Sequence, residues 1–305
     1  MRLRLIKKVA IYTGYSCNNR CRFCIDYNKR ELPDKSTDQI EKEMLRARKA
    51  GNTYLELLGG ETTIRKDIIH LIEFAREVGF EAINITTNGR MLSYQGFAKK
   101  LIQAGITSLA FSINGPNAEI HDYLSQVPGS FDQTIQGVKN VKKLGFDNIC
   151  GNTTIVKQNY KYLPQIGKLF LKLGIKRAEF IFVDPTFGGA LNHFKKLVPR
   201  VSEIASFVDK CLNLGRKNQA EWFIRYIPLC YLTSHLDQIS ELHESATFRT
   251  QQLAPDFQNP YYEESRKNNR AKTKRCQGCK LYNICEGIWK EYLKHYGDKE
   301  LRPIN

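Results

Sequence analysis

Cys17, Cys21 and Cys24 fall within eight residues, in the spacing Cys-x3-Cys-x2-Cys. A loop can curl three such thiolates onto one centre, which a helix or a strand cannot. Soft thiolates select zinc, copper(I) or an iron–sulfur cluster. Structural zinc takes four protein ligands, and this loop offers three, with no histidine among them. A [4Fe–4S] cluster held by three cysteines leaves one iron without a protein ligand, and that open iron is where chemistry can start. A second group, Cys276, Cys279 and Cys285, is spaced Cys-x2-Cys-x5-Cys near the C-terminus.

The elements that must position these residues follow from pattern. An apolar run, Val9 to Tyr12, reads as a strand ending at Thr13-Gly14, directly before the first cysteine. Further strands are predicted at 54–58, 82–87, 107–112, 148–156 and 178–183. Helices are predicted at 36–50, 65–78, 94–104, 130–144 and 160–173, several closed by a glycine that suits a C-terminal cap. Six strands alternating with helices imply a parallel sheet with right-handed crossovers. Two further units would be needed to close an eight-fold barrel, and the pattern does not supply them. The expected fold class is therefore α/β, a partial (β/α)6 barrel. In such architectures active sites lie at the C-terminal ends of the strands. The cysteine loop, Gly59-Gly60-Glu61, Thr86-Thr87-Asn88-Gly89, and Ser112 with Asn114 all fall at those ends.

Taken together, the cysteine spacing, the aromatic Phe23 before the last cysteine and the preceding strand resemble the cluster loop of the radical S-adenosylmethionine (SAM) superfamily. The resemblance implies the partial barrel, a [4Fe–4S] cluster on Cys17, Cys21 and Cys24, and SAM on its open iron. Reductive cleavage of SAM would then give a 5′-deoxyadenosyl radical that takes hydrogen from a substrate. Gly59-Gly60-Glu61 resembles the family's GGE motif, with bare backbone at both glycines and Glu61 paired to the SAM ammonium. Thr87 and Asn88 resemble positions facing the methionine carboxylate or the ribose. Ser112, Asn114 and Asn152 resemble ribose-side contacts, and Phe23 is expected near the adenine. Strand-end capping accounts equally for Thr87, Ser112 and Asn152, and core packing for Phe23. His121 is expected on a helix surface or as a loop anchor rather than as a catalytic base. The loop after the sixth strand, Asp184 to Gly189, is expected to line the cavity.

The division expected is a barrel over 1–198 and a C-terminal extension over 199–305. The extension resembles the SPASM and twitch modules that hold auxiliary iron–sulfur clusters. A full SPASM run continues to a fourth cysteine, where this chain has Trp289. The departure leaves room for one auxiliary cluster, on Cys276, Cys279, Cys285 and Cys230, the last chosen for its Ile-Pro-x-Cys context. Cys150 and Cys211 are expected to be free thiols. Zinc on the same four thiolates is the rival, since four cysteines satisfy its tetrahedral preference.

Hydrophobic residues make up 42% of the 305, enough for a packed core. No run approaches a membrane span, and the N-terminal MRLRLIKKVA lacks a signal-type apolar stretch. Nine cysteines without a secretion signal favour metal over disulfides, and a cytoplasmic location is expected. Peptide modifiers of this family often carry an N-terminal leader-binding domain; only about eight residues precede the first strand, which weighs against that reading, although such a domain can be a separate chain. The net charge of +16 suits an anionic partner, although a solvated basic surface need bind nothing. The run 266–275, with six basic residues, reads either as a grip for an acidic peptide or RNA or as a solvated loop.

The expected activity is hydrogen abstraction from a peptide or protein side chain, with the auxiliary cluster assisting oxidation. A dehydrogenase of sugars or aminocyclitols and a tRNA-modifying enzyme are the alternatives within the family. A zinc-stabilised nucleic-acid-binding protein is the alternative outside it. Expected partners are a peptide or small-molecule substrate and a one-electron donor such as flavodoxin or ferredoxin. Composition does not fix the oligomeric state.

Overall fold

Strict alternation turns the short apolar runs into strands. In the fifth, Ile149, Gly151, Thr153 and Ile155 are buried while Cys150, Asn152 and Thr154 are half-buried, the period of two that a pleated strand imposes. The computed structural model describes residues 5–305; the charged N-terminal stretch read from the sequence begins at residues 1–4, outside the described residues.

The chain begins with β1 (Ile6–Tyr12), α1 (Thr37–Lys49), β2 (Tyr54–Leu58), α2 (Ile68–Glu77), β3 (Ala82–Thr87) and α3 (Gln95–Gln103). It continues through β4 (Ser108–Ser112), α4 (Ala118–Ser125), α5 (Ser130–Lys143), β5 (Ile149–Ile155), α6 (Leu163–Lys172) and β6 (Arg177–Phe182). Then come α7 (Gly188–Asn192), α8 (Phe194–Leu197), α9 (Val201–Lys217), β7 (Glu221–Arg225) and α10 (Ser240–Thr247). The last part holds β8 (Phe248–Leu253), β9 (Gln258–Asn259), α11 (Tyr262–Ser265), β10 (Arg270–Ala271), β11 (Ile288–Trp289) and α12 (Lys290–Tyr296).

β1 to β6 lie side by side in chain order and pair in parallel, the partial barrel expected. The sheet runs on at both edges: β7 pairs in parallel with β6, β8 pairs in parallel with β1, and β9 closes onto β8 antiparallel. Both added parallel strands come from beyond residue 199, so the extension contributes to the barrel's own sheet. The alternation of β8 is hidden in the sequence, because Phe248-Arg-Thr-Gln-Gln-Leu253 buries only Thr250 and Leu253.

Helices cover one face. The Cβ that an alanine at Gly151 would carry meets the Phe170 ring of α6 at 2.6 Å, so bare backbone there lets helix and strand close up. Local signals fix the helix ends. Ser36 Oγ accepts the Gln39 amide and Gln39 Oε1 accepts the Ser36 amide, a reciprocal cap that starts α1. Gly51, at φ +86°, takes the left-handed turn after it. No helix among the described residues is long and apolar enough to cross a membrane.

Candidate functional site

The cysteine loop leaves the C-terminal end of β1 and is fastened from four sides. Asp34 Oδ1 accepts the amides of Tyr15 and Ser16, at 2.7 and 3.1 Å. From the end of β2, the Gly60 and Glu61 amides donate to the carbonyls of Gly14 and Ser16, at 2.9 and 2.8 Å. A Cβ at Gly60 would sit 2.1 Å from the Ser16 oxygen, and one at Gly59 would sit 2.4 Å from the Gly14 oxygen. What these glycines admit in this structure is therefore the backbone of the cluster loop.

From the end of β3, the Asn88 side chain donates to Asn18 Oδ1 at 2.6 Å, and the Arg90 guanidinium reaches the Asn18 carbonyl and Asn19 Oδ1. The amides of Arg20 and Arg22 donate to the last carbonyls of α4, on Ser125 and Leu124, at 2.9 and 3.0 Å. On the far side the Gly189 amide donates to the Cys24 carbonyl at 2.8 Å. A Cβ at Gly188 or Gly189 would meet the Cys24 or Arg22 carbonyl at 2.3 or 2.0 Å. The loop after β6 thus closes onto the cysteine loop.

Cys17, Cys21 and Cys24 are free, half-buried thiols. Burial pushes the Cys17 thiol up to about 11 and raises Cys21 and Cys24 as well. At Cys21 the neighbouring Cys24 and Cys17 add to the rise, while the Arg30 guanidinium opposes it at all three. Thiols crowded in this way stay protonated until a cation binds and displaces the protons. The donor set, three sulfurs with no fourth protein ligand supplied by the loop, fits a cluster with one open iron.

The residues expected to touch the cosubstrate divide in two. Glu61 is buried, and its carboxylate accepts from Thr63 (amide and hydroxyl), the Thr87 hydroxyl and the Asn88 amide, at 2.6–3.1 Å. The Thr87 hydroxyl is fully used, since it also accepts the Gly89 amide at 2.9 Å. Asn88 is taken up by Asn18 and by the Arg90 amide, and Asn114 Oδ1 accepts the Thr154 amide of β5 at 2.9 Å. These four knit strand ends together. Ser112 and Asn152, by contrast, face each other across β4 and β5, half-buried, and among the described residues neither side chain makes a hydrogen bond. Phe23 packs partly buried against the hydrophobic core.

Reading the sequence alone missed Asn18, Asn19, Arg30 and Arg90. Their types are ordinary for loops; Asn18, Asn19 and Arg90 gain a role by meeting across 71–72 residues, and Arg30 by reaching the Asn19 carbonyl and the three thiols within the loop itself. His121 is a buried loop anchor, as one of the two expected readings had it. Its Nδ1 accepts the Asn114 amide at 3.2 Å, and burial lowers its pKa to about 4.

In the extension, Cys230, Cys276, Cys279 and Cys285 line one pocket, together with Gly287 and Arg302. The Gly287 amide donates to Cys285 Sγ at 3.3 Å and the Ile304 amide to Cys279 Sγ at 3.4 Å. Burial raises the Cys230 thiol, the Arg302 backbone opposes that, and the other three cysteines add to it. Cys150 lies in β5 and Cys211 is buried in α9, both away from this pocket. Among the described residues, no three His, Cys, Asp or Glu side chains stand close enough to hold a single metal ion.

The pocket is tied to the barrel by charge. Glu179 of β6 pairs with Arg225 of β7, and Arg225 with Glu244 of α10 at 2.5 Å. Glu244 pairs with Arg266 at 3.0 Å, and Arg266 with Glu286, the neighbour of Cys285, at 2.9 Å. Arg270 donates to the Gly287 carbonyl at 2.5 Å and lies 3.4 Å from Glu241. Within the basic run at 266–275, Arg266 and Arg270 are therefore interior, which corrects the solvated-loop reading for these two, while Lys267, Lys274 and Arg275 are exposed.

The family model described as the radical SAM superfamily matches residues 11–170. An AdoMet-dependent heme synthase from Oleidesulfovibrio alaskensis is 30% identical over 173 residues, 56% of this chain. The match spans less than half, 44%, of that relative's length. Streptococcus suis SuiB bound to its precursor peptide SuiA superposes with a TM-score of 0.70 at 16% identity, covering 95% of this chain and 73% of that one. Native anSMEcpe with bound AdoMet and a Cp18Cys peptide superposes with a TM-score of 0.68 at 14% identity, covering 98% and 92%.

Proposed function

The chain belongs to the radical SAM superfamily, and from that premise we propose that it oxidises a residue of a peptide or protein with the help of an auxiliary iron–sulfur cluster. When bound, a [4Fe–4S] cluster on Cys17, Cys21 and Cys24 with SAM on its open iron supplies reductive cleavage of the sulfonium and a 5′-deoxyadenosyl radical. The chain's own residues hold and shape that site. Arg30 offsets the negative charge of the three thiolates. Glu61, Thr87, Asn88 and Asn114 lock the ends of β2 to β5 so that the loop keeps its form. Ser112 and Asn152 present uncommitted polar groups to SAM, and Phe23, packed partly buried against the core, would lie near the adenine.

The observation that carries the oxidative reading is the pocket shared by Cys230, Cys276, Cys279 and Cys285. Four thiolates satisfy all four irons of a cubane, so this second centre would have no open site and would serve to take up an electron. Zinc at about 2.3 Å from each sulfur would need the four within about 4 Å of one another. Metal analysis separates such a site from a cluster. The division at 198/199 then separates the radical centre from the electron-accepting one. A peptide substrate is supported by the two structural neighbours, whose bound peptides are SuiA and Cp18Cys.

Anaerobic reconstitution followed by iron and sulfide analysis tests this. Wild-type protein is expected to carry about eight irons and Cys279→Ala about four. The variant should still cleave SAM without yielding modified peptide. Four irons in the wild type with zinc beside them would overturn the auxiliary cluster. The match to a heme synthase favours a second reading, a small-molecule substrate, which product analysis with peptide and non-peptide candidates separates.

A further inference from the structure

The outer side of the cysteine loop carries an unpaired charge surface. Four segments meet there: 18–30, the end of α4, 157–161, and 187–200. Arg22 Nε donates to the Tyr123 carbonyl and its guanidinium lies 4.4 Å from the Tyr123 ring centroid. Tyr27 meets His193 edge-on at 6.2 Å, Asn28 and Asn192 exchange hydrogen bonds, and Lys157 Nζ donates to the Lys195 carbonyl at 2.8 Å. A shallow pocket joins Arg22, Tyr27, Tyr123, His193 and Lys196 into one surface.

The composition of this surface is one-sided. Six of its cations, Arg20, Arg22, Lys157, Lys161, Lys195 and Lys196, have no ion-pair partner among the described residues, whereas Lys29 and Arg200 are paired with Asp256 and Glu300. Its acids are few. Asp26 is buried, and Asp122 is committed to the Gly129 and Phe131 amides and the Ser130 hydroxyl, which leaves Glu119. Between the cations stand apolar side chains open to solvent: Ile25 at 45%, Tyr123 at 49%, Phe187 at 48% and Leu191 at 39%. Exposed aromatics and aliphatics ringed by like charge describe a docking face for a protein of opposite charge.

Position selects the partner. The backbone beneath the patch is that of the cysteine loop itself, with Arg20 and Arg22 flanking Cys21 and Ile25 following Cys24. A partner seated there touches the covalent frame of the radical centre. We propose that this face docks an acidic one-electron carrier protein, which hands one electron to the cluster on Cys17, Cys21 and Cys24 and leaves oxidised by one electron. The assignment rests on the radical SAM reading of the loop and adds to it where the reductant binds.

A reduced bacterial flavodoxin is the probe, and dithionite, which needs no docking face, is the control. Wild-type protein should be reduced by flavodoxin at a rate that falls steeply as ionic strength rises from about 0.05 to about 0.5 M. Apo-protein should bind flavodoxin with the same salt dependence. In the Lys195→Glu/Lys196→Glu protein both binding and flavodoxin-driven reduction should fall tenfold or more, with dithionite-driven reduction unchanged. Lys157→Glu/Lys161→Glu provides an independent second variant on the same face.

Flavodoxin-driven reduction that persists at the wild-type rate in both variants overturns the proposal. So does equal loss with both reductants, which would make the face structural, or loss of peptide-substrate binding with carrier reduction intact. If wild-type protein reduced by dithionite yields no deoxyadenosine from SAM, the failure belongs to the reading of the loop. The binding measurements on apo-protein then still decide the docking face.

Discussion

Glu61 accepts four hydrogen bonds and has no cationic partner among the described residues. The resemblance gave it to the SAM ammonium, whereas its geometry makes it a tie between the ends of β2 and β3. A Gln in its place keeps one acceptor oxygen and turns an amide donor toward the donors it now serves. Glu61→Gln is therefore expected to cost about 1–3 kcal/mol in urea unfolding of the apo-protein. Unchanged stability with weakened SAM binding would return Glu61 to the ligand role.

His121 shows the same kind of residue-scale logic through pH. Burial lowers its pKa to about 4 in the folded protein, below the ordinary value of 6.5. Between those two values the unfolded chain binds a proton that the folded one refuses. The contribution is fully present above pH 6.5 and is lost as the pH falls toward 4, by about 1.4 kcal/mol per unit. The stability difference between wild type and His121→Gln should be constant above pH 6.5 and shift against the wild type as the pH falls from 6.5 toward 4. Parallel curves would place the titration elsewhere. From the sequence, residue types at strand ends were legible, but which polar group faces a ligand and which faces another strand was not. Thr87 and Ser112 look alike in sequence, yet one hydroxyl is spent on Glu61 and Gly89 and the other is uncommitted.

At the scale of elements, the expected helices and strands of the barrel half lie within a few residues of those found. Their periodicity, caps and closing glycines are local signals, and local signals survive in one sequence. β7 and β8 did not read as strands, because Arg225 faces an ion pair and β8 carries Arg249, Gln251 and Gln252. Their identity depends on distant partners, β6 for β7 and, more than two hundred residues away, β1 for β8. The basic run shows the same limit: Arg266 is buried, its side chain 2% exposed, between Glu244 and Glu286. Removing one partner from a buried pair leaves an uncompensated charge, at about 3–5 kcal/mol. Arg266→Gln is expected to make the segment from α10 to α12 protease-sensitive while the barrel stays resistant. Uniform resistance would show that the ion-pair chain does not hold the extension.

Over the whole molecule, the first cysteine loop leaves β1 and Cys230 follows β7, both strands of the nine-stranded sheet, whereas Cys276, Cys279 and Cys285 lie between the two strands of the separate β10–β11 pair. The first centre was legible from the cysteine spacing together with Phe23 and the preceding strand. For the second, the Ile-Pro-x-Cys context singled out Cys230 in the sequence, and the pocket places it with Cys276, 46 residues on, Cys279 and Cys285. Charge acts at this scale too: internal ion pairs such as Arg225–Glu179 and Arg266–Glu286 neutralise part of the basic side chains, and six of the remaining cations stand on the open face over the cluster loop.

The most direct test is chemical. Protein reconstituted with iron and sulfide under anaerobic conditions, reduced with dithionite and given SAM, should release 5′-deoxyadenosine and methionine in equal amounts, and Cys24→Ala should release neither. Fully iron-loaded, reduced wild-type protein that leaves SAM intact with every candidate substrate would contradict the account.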